Sequence, residues 1–274
     1  LEGNARTDEA LKLYKQGITL IPKSAELHYE VGLIYNDSLK NHQEALSYFE
    51  KAVNLDPINP YYYYRKGTTL YVLGKLPEAL RVFTQSIVYH EQKRKESIDG
   101  YGYDKESHAN TYSTRAMVKD DLKDYQGALA DYQEAIKLNP KEHKDELESF
   151  KSDVAYEYYL NFEKWKDKDV AKAREWAQKA LKWATKEDDD IREGIQEFEE
   201  EQALKRQVAE VSKARQQIHA LMAAKKYREA LPLAKKYHQI SLELAKKHVE
   251  QYDLYLLHKA LDELYFDCKQ KVKD

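Results

Sequence analysis

The chain has 274 residues, 34% of them charged, with 45 Lys and Arg set against 48 Asp and Glu for a formal net charge of −3. That balance gives no global electrostatic case for nucleic acid, and no apolar run approaches the roughly 20 residues of a membrane-spanning helix. Nine glycines, six prolines and the single Cys268 exclude an all-β sandwich or barrel, an internal disulfide framework and a Cys-based zinc cluster.

The chain opens Leu1-Glu2 without Met. The expectation is that a natural start has been removed, which leaves a leader, anchor or upstream domain out of view and the compartment open between cytoplasm and periplasm. From there a register repeats: Ala, an aromatic four residues on, a small residue at seven and Pro at twelve. Ala10, Tyr14, Gly17 and Pro22 fit it, as do Ala45, Phe49, Ala52 and Pro57, and again Ala128, Tyr132, Ala135 and Pro140. Ala79, Phe83 and Ser86 fit without the Pro. Ahead of the last three anchors stands a second pattern: His28, Gly32 and Tyr35; Tyr63, Gly67 and Leu70; Tyr112, Ala116 and, as a poorer match, Lys119. Small residues at fixed spacing let paired helices approach, aromatics fill the holes beside them, and Pro ends the second helix.

This register resembles the tetratricopeptide repeat family, whose unit is a helix-turn-helix of about 34 residues. The resemblance is strong over residues 8–142. It implies an all-α, right-handed α-solenoid in which helix A of each unit lines a concave groove that takes a peptide or a partner domain. Residues 1–142 are expected to form a regular array of a half unit and three full units. Anchor spacing grows between Ala79 and Ala128, which predicts a lengthened helix through Arg94 and an inserted loop near 95–108, centred on Asp99-Gly100-Tyr101-Gly102-Tyr103-Asp104. The first unit supplies a helix at about 8–20 with no helix A before it, either a cap or a unit cut short.

Residues 143–274 are expected to be a degenerate continuation. Phe150, Val154, Tyr158, Phe162 and Trp165 form one stripe, and Ala173, Ala177 and Ala180 mark the helix after it. A long helix over about 190–223 carries Ile191, Ile195, Phe198, Val208, Val211, Ile218 and Leu221. Ala230, Ala234 and Tyr237 follow, then a C-terminal capping helix with Val249, Tyr252, Leu256, Leu257, Leu261, Leu264 and Cys268. The stripe of the long helix is expected to dock within the chain, around Leu231 and Leu257. An exposed stripe would instead allow self-association through 188–223. Residues 188–201 hold eight acids against Arg192, whereas 205–247 hold eleven Lys or Arg against three Glu. That asymmetry reads as solvated helix faces with local pairing, as the acidic run packing on the basic run, or as a basic face for an acidic partner.

Catalytic chemistry finds little footing. His90-Glu91-Gln92-Lys93-Arg94 has Arg94 where a zinc-peptidase helix has its second histidine, and the nine histidines lack ligand spacing. No nucleophile elbow, P-loop or dinucleotide fingerprint occurs. Asp120-Asp121 and Asp188-Asp189-Asp190 lack the spacing of a calcium loop, and Cys268 reads as a buried small hydrophobe. No enzyme, cofactor or metal is expected.

Helix phase on the family's helix A gives candidate partner-binding residues: Tyr29 and Asn36, then Tyr61, Tyr64 and Tyr71, then Ser113 and Asp120. Tyrosine suits such a face because it offers large apolar area and a hydroxyl with few rotamers. Tyr63 is expected in the core. The Lys/Asn/Arg clamp with which some members hold acidic chaperone tails is absent as a set, with only Arg65 agreeing. The resulting expectation is a non-enzymatic interaction scaffold, for example an adaptor in a bacterial envelope or secretion assembly. A small-molecule or carbohydrate module with a tyrosine-lined groove is the alternative.

Overall fold

The structure is a computed structural model, and residues 2–97, 102–248 and 251–272 are described. Leu1, Asp99, Gly100, Tyr101 and Val249 of the sequence expectations lie outside them, as does the side chain of Tyr252. The described residues form helices and no strand: α1 (Glu2–Leu20), α2 (Ala25–Leu33) continued by a π-helical segment (Ile34–Ser38), α3 (His42–Leu55), α4 (Pro60–Val72), α5 (Leu76–Glu96), α6 (Lys105–Asp121), α7 (Tyr125–Leu138), α8 (Pro140–Trp165), α9 (Val170–Trp183), α10 (Asp189–Ala223), α11 (Tyr227–Lys247) and α12 (Tyr252–Lys271). The fold is an all-α solenoid of helical hairpins. None of the described helices is long and apolar enough to cross a membrane.

The chain divides into two compact units, Leu1–Glu157 with Trp183–Thr185, and Tyr158–Lys182 with Lys186–Asp274. In the first, α2 pairs with α3, α4 with α5 and α6 with α7, and successive pairs stack through α3 on α4 and α5 on α6. The anchors sit where the register places them: Ala45, Phe49, Ala52, Ala79, Phe83, Ala128 and Ala135 are buried. Gly32 and Gly67 lie against the aromatic of the facing helix. A Cβ added to Gly32 would stand 2.6 Å from Phe49, and one on Gly67 2.8 Å from Phe83. Side chains of Ser24, Asn41, Asn59, Asp104 and Asp124 accept backbone N–H groups at the N-termini of α2, α3, α4, α6 and α7, satisfying donors that the helices leave free.

The turns inside the hairpins share one construction. Lys40, Gly74 and Lys123 adopt φ of 52°, 73° and 62°, each five residues ahead of an anchor alanine. Lys75 N–H then donates to Leu70 C=O and Asp124 N–H to Lys119 C=O at 2.9 and 2.8 Å, closing the helix end in a left-handed cap. Lys225, five residues before Ala230, repeats it with φ of 59° and a Lys226 N–H to Leu221 C=O bond of 2.9 Å. The α10–α11 hairpin therefore keeps the turn of the regular units although its first helix has grown to 35 residues.

One more residue separates Gly32 from Ala45 than separates Gly67 from Ala79. The π-helical segment Ile34–Ser38 absorbs it, with Leu39 N–H donating five residues back to Ile34 C=O at 3.0 Å.

In the second unit the stripe of α10 is covered by two different sets of helices. Its first half, Ile191, Ile195 and Phe198, is buried. Phe198 meets Phe162 edge-on at 5.2 Å, and Tyr159 lies over Gly194. Only the second half, Val211, Ala214 and Ile218, joins the core formed with Ala230, Ala234, Tyr237, Leu261, Leu264 and Cys268, with Leu231 and Leu257 at its margin. The docking expected around Leu231 and Leu257 thus holds for half the helix, because a rod of roughly 52 Å outruns any single partner. The buried residues of both halves are therefore not free to supply the self-association seam expected through 188–223. Its acidic start does not seek the basic run as a whole. Glu199 takes a bidentate bond from Arg174 of α9 at 2.7 and 2.8 Å, and Glu201 pairs with Lys205 one turn on.

Candidate partner-binding face

Helices α2, α4 and α6 stand in the helix A position, and their outward residues form the candidate face of the first unit. The residues expected there fall into three groups. Tyr29 packs on Tyr62 and Phe49 at 5.0 and 5.9 Å. Asn36 is engaged on all sides: its amide donates to Asp37, and its oxygen accepts from Thr69 of α4 and from the ring of His42, at 3.3 and 2.9 Å. It fastens the π-helical segment to its neighbours. Arg65 of α4 reaches Asp37 at 3.6 Å, so the one residue shared with the carboxylate clamp carries an internal ion pair.

The second group surrounds Tyr61. Its hydroxyl donates to Asp104 Oδ2 at 2.9 Å, while Asp104 Oδ1 caps α6 through Ser107 N–H. The Tyr61 ring meets His90 edge-on at 5.8 Å, and His90, His108 and Tyr112 continue as a stack with centroids 4.9 and 5.0 Å apart. Tyr103 from the inserted loop bonds His108 Nδ1 at 2.8 Å. Tyr61 therefore ties α4 to the loop and α6. Burial, then the neighbouring His108, pushes the His90 pKa down to about 3, and burial pushes His108 down to about 4. Both are buried as neutral rings. The unfolded chain, whose histidines titrate near 6.5, takes up these protons first, so stability falls as pH drops from about 6.5 toward 4. His90→Leu is expected to flatten that acid limb in a series of melting curves from pH 7 to pH 4. A limb parallel to wild type would contradict the assignment.

The third group lies where α4 and α6 face α8. Tyr64 and Tyr71 are half-buried against the core around Leu70, Val82 and Phe83. Burial, then a hydrogen bond to Asp121 and the charge of Asp120, pushes the Tyr71 hydroxyl up to about 12. Desolvation raises the Asp120 carboxyl, and Asp121, Asp153 and Glu157 add to it against Lys123 alone. Lys123 is itself held by Glu157 at 2.6 Å. Among the described residues none of Asp120, Asp121 and Asp153 forms an ion pair. Met117 and Val72 are exposed on α6 and α4. Ser113 points inward instead, 5% exposed, and donates to Glu146, which also accepts from His143 at 2.8 Å.

The tyrosine run resolves differently from expectation. Tyr62 is the buried member, packed on Ala52 and Val53 of the preceding unit, whereas Tyr63 is half-buried over Tyr89 with its hydroxyl on Pro57 C=O. Helix phase within one unit could not show that the face turned toward the previous unit buries more than the face turned toward α5. Glu146 and Asp153 were missed because they lie on α8, where the repeat register fades.

Two segments, residues 25–59 and 109–142, match models described as tetratricopeptide repeat. No curated protein matches the chain. Among solved structures, MamA is 18% identical over 66% of this chain and 90% of its own, with a TM-score of 0.44. The N-terminal domain of stress-induced protein-1 from C. elegans is 16% identical over 46% and 93%, with a TM-score of 0.40. The first TPR of Spaghetti (RPAP3), bound to the HSP90 peptide SRMEEVD, is 22% identical over 46% and 90%, with a TM-score of 0.39. The repeat is in general a non-enzymatic fold for binding other proteins. The first unit thus carries tetratricopeptide repeats at its α2–α3 and α6–α7 hairpins, which share the left-handed turn between their paired helices.

Proposed function

We propose that the chain is an interaction scaffold whose helix A face, around Tyr64, Tyr71, Met117 and Asp120, receives a partner segment bearing basic side chains. The like-charged cluster of Asp120, Asp121 and Asp153 beside half-buried tyrosines supports this reading. Asp120, whose carboxyl is raised by burial and by the charges of its acidic neighbours, is stabilised by an arriving cation, and aromatic flanks give the cation's aliphatic stem a surface. Tyr29 and Tyr61 would widen the same face, Asn36 would hold its edge, and Ser113 would act through Glu146. As an adaptor in a bacterial envelope or secretion assembly, the chain would present this face to a peptide or a partner domain.

A small ligand stacked between tyrosines is less well served. Tyr29, Tyr61 and Tyr63 already spend ring faces or edges on Tyr62, His90 and Tyr89. Selection of displayed random peptides on the folded chain tests the proposal. Selected peptides are expected to be net basic, and Asp120→Lys with Asp153→Lys to weaken them roughly tenfold or more, most at low salt. Acidic selections, or equal binding by the variant, would overturn it.

A further inference from the structure

We infer that α12 carries a self-association seam through which two copies of the chain pair as antiparallel helices. α12 has two distinct faces. One, Leu254, Leu261, Leu264 and Cys268, is buried in the second unit. On the other side of the helix Leu256 and Phe266 are 43% and 55% exposed, with Tyr255 beside them at 54%. Residues 252, 256, 259, 263, 266 and 270 follow steps of four and three, the spacing of a helix–helix seam. Its central positions are Lys259 and Glu263, both exposed, and neither forms an ion pair among the described residues.

The occupant follows from the order of these residues. A two-fold axis passing at residue 261 sets Lys259 against Glu263 of the second copy and Glu263 against its Lys259. The same axis brings Leu256 onto the second copy's Phe266, and Asp253 near its Lys269 on the flank. At the centre of the contact each charge meets its opposite and Leu256 meets Phe266, as a self-complementary two-fold contact requires. A parallel pairing would place Lys259 on Lys259 and Glu263 on Glu263. The seam spans roughly 27 Å of helix, so the dimer is weak and concentration-dependent.

Sedimentation equilibrium of the full chain tests this. A monomer–dimer equilibrium is expected, weakened roughly tenfold or more by Phe266→Asp. Lys259→Glu should weaken it too, and Lys259→Glu with Glu263→Lys should restore it. Far-ultraviolet circular dichroism reports whether each variant stays folded. If Phe266→Asp unfolds, the two charge variants decide. A wild-type chain that is monomeric up to roughly millimolar concentration, a dimer indifferent to Lys259→Glu, or a charge exchange that fails to restore pairing would overturn the seam.

Discussion

Replacing Arg115 with alanine is expected to destabilise the first unit by about 3 kcal/mol, because it strips the main partner from a buried carboxylate. Asp131 of α7 is 3% exposed. Arg115 of α6 grips it with Nε and a terminal nitrogen, each at 2.7 Å, and Lys119 adds a third bond at 2.8 Å. The same guanidinium donates to Thr84 of α5 at 3.2 Å and lies over the Tyr112 ring. One side chain thus joins two successive hairpins. Without it, Asp131 keeps only the lysine in a site that excludes water. Urea denaturation of Arg115→Ala measures the loss. A change below about 1 kcal/mol would mean that Lys119 alone compensates the charge, as an exposed pair would.

Gly67→Leu is expected to cost roughly 1–3 kcal/mol by overpacking. The absent Cβ would lie 2.8 to 2.9 Å from three atoms of the Phe83 ring, and Phe83 is fully buried with no free rotamer space toward solvent. The ring must tilt or α4 and α5 must part. Melting temperature and denaturant midpoint should fall together, with Gly67→Ala intermediate. A leucine variant as stable as wild type would show that α4 and α5 can separate without penalty.

The sequence made the hairpins legible because close approach demands small residues, and small residues at fixed spacing opposite aromatics are a pattern few other packings share. Polar substitutions inside that pattern were harder to read. Lys119, the poorest match in helix A of the fourth unit, sits there because Asp131 lies opposite, and neither residue alone discloses the other. His90 and His108 gave no signal because the inserted loop, rather than any local spacing, brings their rings together. The candidate face divides in the same way. Helix phase sets Tyr64 and Tyr71 on one side of α4, where they are half-buried against the core, while Asp153 and Glu146 lie on α8, where the repeat register fades. The two-sided cover of α10 was visible only as a long stripe, since periodicity shows that a face is apolar and not which helix lies on it.

The π-helical segment after α2 has a consequence for how such an array tolerates change. In an α-helix, one added residue turns everything downstream by about 100°. Here a single widened turn, Ile34–Ser38, takes up the surplus, and Lys40 still enters the left-handed turn at the same distance from Ala45 as Gly74 does from Ala79. The second helix of this hairpin is thereby insulated from the added residue in the first. A residue gained at the end of α2 thus leaves the phase of α3 unchanged, much as a clutch slips one tooth and leaves the gear beyond it turning true.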